Sequence, residues 1–176
     1  MNIDDLKGFV DQMFEQGPVS DAESMATLLR ESSRLDAYVT VSVGEFDKWG
    51  AWALDGARSA AAWIAKKGNL PRVVARRLVR RGRALDHLPE AAKAWKEGDI
   101  GAAHVDTLEK ARNSRTRCGL EHDEEMLVDH ARTLCPEDYA KAVSYWEQLA
   151  DPDGTEASAE ERRNRRDVYI EPVGDM

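Results

Sequence analysis

The sequence predicts an all-α domain in which a long N-terminal helix packs on several shorter helices, and three observations carry that prediction. From Met25, the residues Leu28, Ser32, Leu35, Val39, Ser42, Phe46, Trp49 and Ala53 step by three and four, the spacing of one helix face. Helix-starting and helix-stopping residues then recur at short intervals, at Ser59, Gly68, Pro71, Pro89, Gly98 and Pro136. Finally, 176 residues at 42% hydrophobic composition suffice for one sizeable core. Strand-like alternation is confined to YVTVSV at 38–43 and DVYIEP at 167–172.

The elements follow in order. SDAE, Ser20 to Glu23, has the form of a capping box, with Ser20 accepting from a free backbone N–H and Glu23 reaching back. It opens the long helix, expected over 21–54 as a continuous or once-kinked rod of about 50 Å. YVTVSV suits a short strand equally well, but the 3-4 spacing runs on through both its flanks, so helix is the expectation. Ser59 caps AAAWIAKK, residues 68–70 turn, and Asn69 caps a second short helix that carries Pro71 in its first turn and runs to about Leu85. HLPEAAKAWKEGD restarts at Pro89 and stops at Gly98, and GAAHVDTLEKAR follows after a turn. Helices over 120–134 and 137–150, the latter started by Pro136, finish the domain. DPDGTEASAEERRNRR, 151–166, reads as a polar linker, and EERRNRR within it as a solvated run. DVYIEP reads as one short strand, and a strand without a partner suggests a chain that continues. The expected division is a helical domain over 1–150 and a linker with a strand over 151–176, leading to a further domain.

Composition removes several classes of function. Lys and Arg number 25 against 33 Asp and Glu, a formal net charge of -8 that speaks against indiscriminate nucleic-acid binding. Cys118 and Cys135 stand alone, as reduced thiols of a cytoplasmic protein do. The acidic N-terminus is unlike a signal peptide, and no apolar run approaches the roughly 18 residues that span a bilayer, so no membrane partner is expected. No Walker loop or dinucleotide fingerprint is present, and no cofactor is expected. Cys118, His122, His130 and Cys135 have ligand-type side chains, but zinc sites gather theirs in close pairs on turns, so no metal is expected. His104, near a helix start, reads as a packing or capping residue, and the five tryptophans as core and interhelix anchors.

The charge is unevenly placed. RVVARRLVRRGR, 72–83, carries six arginines and no acid. From Lys66 to Arg83 there are eight cations and no acid, so the remainder of the chain carries -8 minus 8, or -16. Stepping about 100° per residue, Leu70, Val73, Val74, Leu78, Ala84 and Leu85 fall in one wedge, while Arg72, Arg76, Arg80 and Arg83 align on another flank. Arg77 and Arg81 fall inside the apolar wedge and are expected to find carboxylates, with Asp36, Glu45, Asp47 and Asp55 as candidates. A short helix, a tight turn and a helix with a cationic flank form the arrangement of a helix-turn-helix DNA reader. In that arrangement Asn69, Arg72, Val73 and Arg76 would reach base edges, and Arg80 and Arg83 would contact phosphates. The competing expectation is an interaction module, in which the arginines are structural and the 25–53 seam pairs with its own copy in a homodimer.

Four further stretches carry a family resemblance. DGARSAAAWIAKKG, ALDHLPEAAKAWKEGDIGAAHVDTL, LADPDG and RRDVYIEPVGDM contain, in order, D-G-x-x-S-x-x-x-W, L-P-x-x-x-x-A-x-x-x-G-D-I-x-x-x-H-V and D-P-D-G. In these the chain resembles the domain of unknown function 222, also called the thirteen-E-twelve repeat family. The resemblance implies a region that precedes a C-terminal HNH endonuclease domain. No HNH centre is present in this chain, so catalysis would belong to the missing part. Residues 68–108 are also similar to the helix-turn-helix region of ParB-type partition proteins, which would place Arg72 and Arg76 on a recognition helix. Together these imply duplex DNA as the partner.

Overall fold

The computed structural model describes residues 3–152, and every regular element among them is helical. The order is α1 (Ile3–Gln16), α2 (Ala22–Trp49), a 3-10 turn (Ala51–Asp55), α3 (Ala60–Lys67), α4 (Arg72–Leu85), α5 (Pro89–Glu97), α6 (Ala102–Ala111), α7 (Arg117–Thr133) and α8 (Pro136–Ala150). The all-α expectation holds, and YVTVSV lies inside α2. The expected strand at 167–172 and most of the linker lie outside the described residues.

Both ends of α2 differ from expectation. Asp21, and not Ser20, caps α2, its Oδ1 accepting the Ser24 N–H at 2.8 Å. A carboxylate both accepts that bond and complements the positive end of the helix, and the bond holds the Asp21 carboxyl below its ordinary pKa. At the other end α2 stops at Trp49, because Gly50 takes a left-handed φ of 67° and the chain tightens into the 3-10 turn.

α2 is the spine, packing on α3, α4, α5 and α6. Its buried residues are Ala37, Thr40 and Gly44. They lie about half a turn from the apolar seam, which the domain leaves largely uncovered. Met25 and Leu35 are 41% exposed, Val39 40% and Trp49 81%, so Trp49 is no core anchor. The reason is backbone approach. α4 crosses α2 so closely that a Cβ on Gly82 would come within 2.8 Å of the Gly44 nitrogen and 2.9 Å of the Thr40 carbonyl oxygen. Small side chains, not large apolar ones, therefore define the packed face.

Two clusters make the core. The larger joins Leu88, Trp95, Val105, Leu108, Leu120, Leu127, Tyr139 and Val143 across α5 to α8, with Ala37 and Leu85 at its edge. Within it, the buried Glu124 carboxylate accepts the Ala91 N–H at 2.9 Å in the first turn of α5. The smaller cluster, Ala60, Ile64, Ala75 and Val79, seats α3 and α4 against Val43 and Phe46 of α2, with Phe46 and Trp63 ring centroids 4.6 Å apart.

Candidate nucleic-acid interface

The cationic helix is presented by the turn before it. Asp55 accepts from Trp63 Nε1 at 2.8 Å and pairs with Lys67 at 3.5 Å, contacts that keep its carboxyl below the ordinary range. Ser59 then caps α3 as expected, accepting from the Ala62 N–H at 3.2 Å. α3 closes in a Schellman arrangement, with the Leu70 N–H on the Ala65 carbonyl at 3.0 Å and Asn69 at φ 50°. Asn69 therefore ends α3 and does not cap α4, since a left-handed residue at that position belongs to the helix it terminates. Pro71 precedes α4 and offers no side-chain cap, so the first-turn amides are left beside the exposed Arg72 and Val73.

α4 buries Ala75, Val79, Gly82 and Leu85 on one side. Val73 and Val74 are not part of that face, being 67% and 41% exposed, which shifts the true apolar wedge. Arg77 accordingly points away from the core and has no ion-pair partner among the described residues. Arg81 is buried as expected, and its Nε and Nη2 meet both oxygens of Asp106 at 2.9 and 2.8 Å. Its guanidinium carbon lies 5.6 Å from the centroid of the Trp95 ring. The partner comes from α6, not from the acids of α2 or the 3-10 turn.

The aligned arginines are all exposed, but not equivalent. Arg72 and Arg76 are unpaired among the described residues. Arg80 approaches Glu109 at 3.5 Å, and Arg83 is held by Asp47 at 2.7 Å, a bond that raises the arginine's pKa further. The free set on α4 is therefore Arg72, Arg76 and Arg77, with the side chain of Asn69 exposed in the adjoining turn. Sequence reasoning missed Asp106 and Glu109, although their spacing of three in AAHVDTLEKA puts both on one side of α6.

A family comparison accounts for the motifs. The sequence model for the domain of unknown function (DUF222) matches residues 22–175. The chain belongs to the DUF222 family. Among curated proteins and among solved structures, nothing matches it. In this DUF222 chain the longest motif supports the scaffold around the site. Leu88, Ala94, Ile100 and Val105 are buried, Pro89 starts α5, and Gly98 ends it at φ 81°. His104 Nδ1 accepts the Gly101 N–H at 3.1 Å while Nε2 faces the Leu134 carbonyl oxygen at 3.3 Å, which places the proton on Nε2. His104 thus caps α6 and ties it to the end of α7, the packing and capping role expected of it. In D-G-x-x-S-x-x-x-W, Asp55, Ser59 and Trp63 are the residues that start α3.

Elsewhere, Cys118 and Cys135 are free and exposed, as are His122 and His130. Among the described residues, no three His, Cys, Asp or Glu side chains gather as metal ligands, and no helix is long and apolar enough to cross a membrane.

Proposed function

We propose that this chain is a DNA-docking module that meets duplex DNA through the N-terminal half of α4. The observation that carries the reading is the triad Arg72, Arg76 and Arg77, exposed and unpaired among the described residues in a chain with 33 acidic residues. α3, the Gly68–Pro71 turn and α4 would then act as a helix-turn-helix unit. α3 braces α4 through Ile64, Ala75 and Val79, while Asn69, Arg72 and Arg76 approach base edges and Arg77 and Arg80 approach phosphate. The uncapped first turn of α4 adds outward amides and the positive end of the helix dipole at the same place. The nuclease chemistry that the HNH resemblance implies would be supplied by another part of the parent protein, with this module holding the site.

The test is a fluorescence-anisotropy titration with duplex DNA at several salt concentrations. Three free arginines give a slope of log K against log salt of about -2.7, and recruitment of Arg80 from Glu109 takes it to about -3.6. The triple variant Arg72→Ala, Arg76→Ala, Arg77→Ala should lose binding at every salt concentration. Binding unchanged in that variant, or no binding at low salt, would refute the reading.

A further inference from the structure

α1 and the first half of α2 present two apolar helix faces that no described part of the chain covers. α1 has no buried residue and packs substantially on no other described element. Leu6, Phe9, Val10, Met13 and Phe14 nevertheless share one side of it, with Asp4, Asp11 and Glu15 on the other. A helix of 14 residues is marginal in water unless something packs on its apolar face. On α2, Leu29, Leu35 and Val39 border a groove of about 460 Å³ completed by Ser32, Asp36 and Ala102.

We propose that these two faces bind each other across two copies of the chain. α1 of one protomer lies along the Met25–Val39 stretch of its partner's α2, and twofold symmetry repeats the contact. The lengths agree: α1 is about 21 Å long and so is Met25–Val39, at about 1.5 Å per residue. The area agrees as well. The exposed portions of the large apolar side chains on the two faces amount to roughly 800 Å² per copy, which is what a standard-size interface takes from each partner. Charge argues against other occupants. Asp4, Asp5, Asp11 and Glu15 outnumber Lys7 on α1, whereas helices that lie on lipid are rich in Lys and Arg, and DNA repels acids. α1 in turn stands off its own α2, from which it is separated by Gly17 at φ 84° and Pro18. The inference does not rest on DNA binding. The seam faces away from the side of α2 on which α4 packs, so the interface leaves the arginine triad open on both copies.

Sedimentation velocity of the full chain without DNA, over a range of protein concentrations, tests it. The expected species is a dimer of twice the 19.7 kDa chain mass. Phe9→Glu and Leu35→Glu change exposed residues on the two faces, so each should keep its helical circular dichroism while weakening the dimer by about 100-fold. A wild-type monomer throughout, or a Phe9→Glu variant that dimerises as wild type does, would overturn the proposal. So would a monomer whose melting temperature falls on deletion of residues 1–17, which would place α1 on its own chain. Co-sedimentation of the wild-type chain with phosphatidylglycerol vesicles would assign the face to lipid and overturn it too.

Discussion

Arg81 is the arginine whose removal should damage the fold most. Its side chain is 8% exposed and that of Asp106 18%, and the two form a bidentate pair at 2.8 and 2.9 Å with the Trp95 ring beneath the guanidinium. Arg81→Ala removes the cation and leaves a largely desolvated carboxylate without it. Losing one partner of such a pair costs about 3 to 5 kcal/mol, and the residual access of water to Asp106 places this case near the lower figure, about 3 kcal/mol. For a chain of this size each kcal/mol moves the midpoint by about 3 °C, so the melting temperature should fall by about 9 °C. Arg76→Ala, on the exposed side of the same helix, should stay within about 0.5 kcal/mol of wild type. Differential scanning calorimetry of both variants decides the matter. Replacing both partners with apolar residues, Arg81→Met with Asp106→Leu, should recover much of the loss, because no unpaired charge remains. Equal midpoints for Arg81→Ala and Arg76→Ala would show that the pair does not support the α4–α6 contact.

Four further outcomes follow from single contacts. Gly82→Ala places a methyl group against backbone atoms at 2.8 to 2.9 Å and should destabilise by about 1 to 3 kcal/mol, despite the better helix propensity of Ala. Gly119→Ala meets only Trp146 at 3.6 Å, an ordinary contact, and should raise the midpoint in the same calorimetric scan. Thr40→Val removes a buried hydroxyl that has no hydrogen-bond partner among the described residues and should be neutral or stabilising; a clear loss would point to an interaction of that hydroxyl. Burial raises the pKa of Glu124, so the folded state holds its proton longer than the unfolded chain does. Its contribution to stability is present below the ordinary Glu value of about 4.3 and is lost as pH rises through the raised folded value. Glu124→Gln keeps an acceptor for the Ala91 N–H and should flatten that part of the stability profile, which urea titrations at a series of pH values would measure.

Helix starts and stops were legible at most residues that carry such a signal, though Ser20 and Asn69, expected to cap α2 and α4, do not. Ser59, Pro89, Gly98 and Pro136 sit where their chemistry requires, and the spacing across YVTVSV correctly outweighed its β-branched residues. What periodicity could not give was the packed face of α2. A stripe of large apolar residues marks a face that gains from cover, but Gly44 and Gly82 set where two backbones can meet, and glycine carries no hydrophobic signal. The same limit misplaced Arg77. Val73 and Val74 made its side of α4 look internal, whereas both are exposed and the packed face runs through Ala75 and Val79 instead. The burial of Arg81 was readable from the wheel. Its partner was not, because Asp106 lies 25 residues away on a helix whose orientation only the fold supplies.

The placement of the acids bears on how an acidic chain can offer a cationic helix. Along α4, the carboxylates meet the arginines at one end only: Asp47 takes Arg83 and Glu109 approaches Arg80, while Arg72, Arg76 and Arg77 are left unpaired among the described residues. The positive end of the helix dipole and the uncapped amides coincide with the unpaired end, so two independent sources of positive potential add over the first two turns. At the C-terminal end the dipole is negative and the guanidinium groups are engaged, so the attraction for an anion fades within one short helix. In the proposed docking, such a gradient would orient an approaching polyanion more than it would tighten the complex, because the net charge of -8 repels it from other directions. Arg83 belongs on this view to the scaffold: Arg83→Ala should loosen α4 from α2 and leave the salt slope of DNA binding unchanged, whereas Arg72→Ala should lower that slope by about 0.9. If the two substitutions altered the slope equally, Asp47 would have to release Arg83 on binding, and the division of α4 into a free end and an engaged end would not describe the bound state.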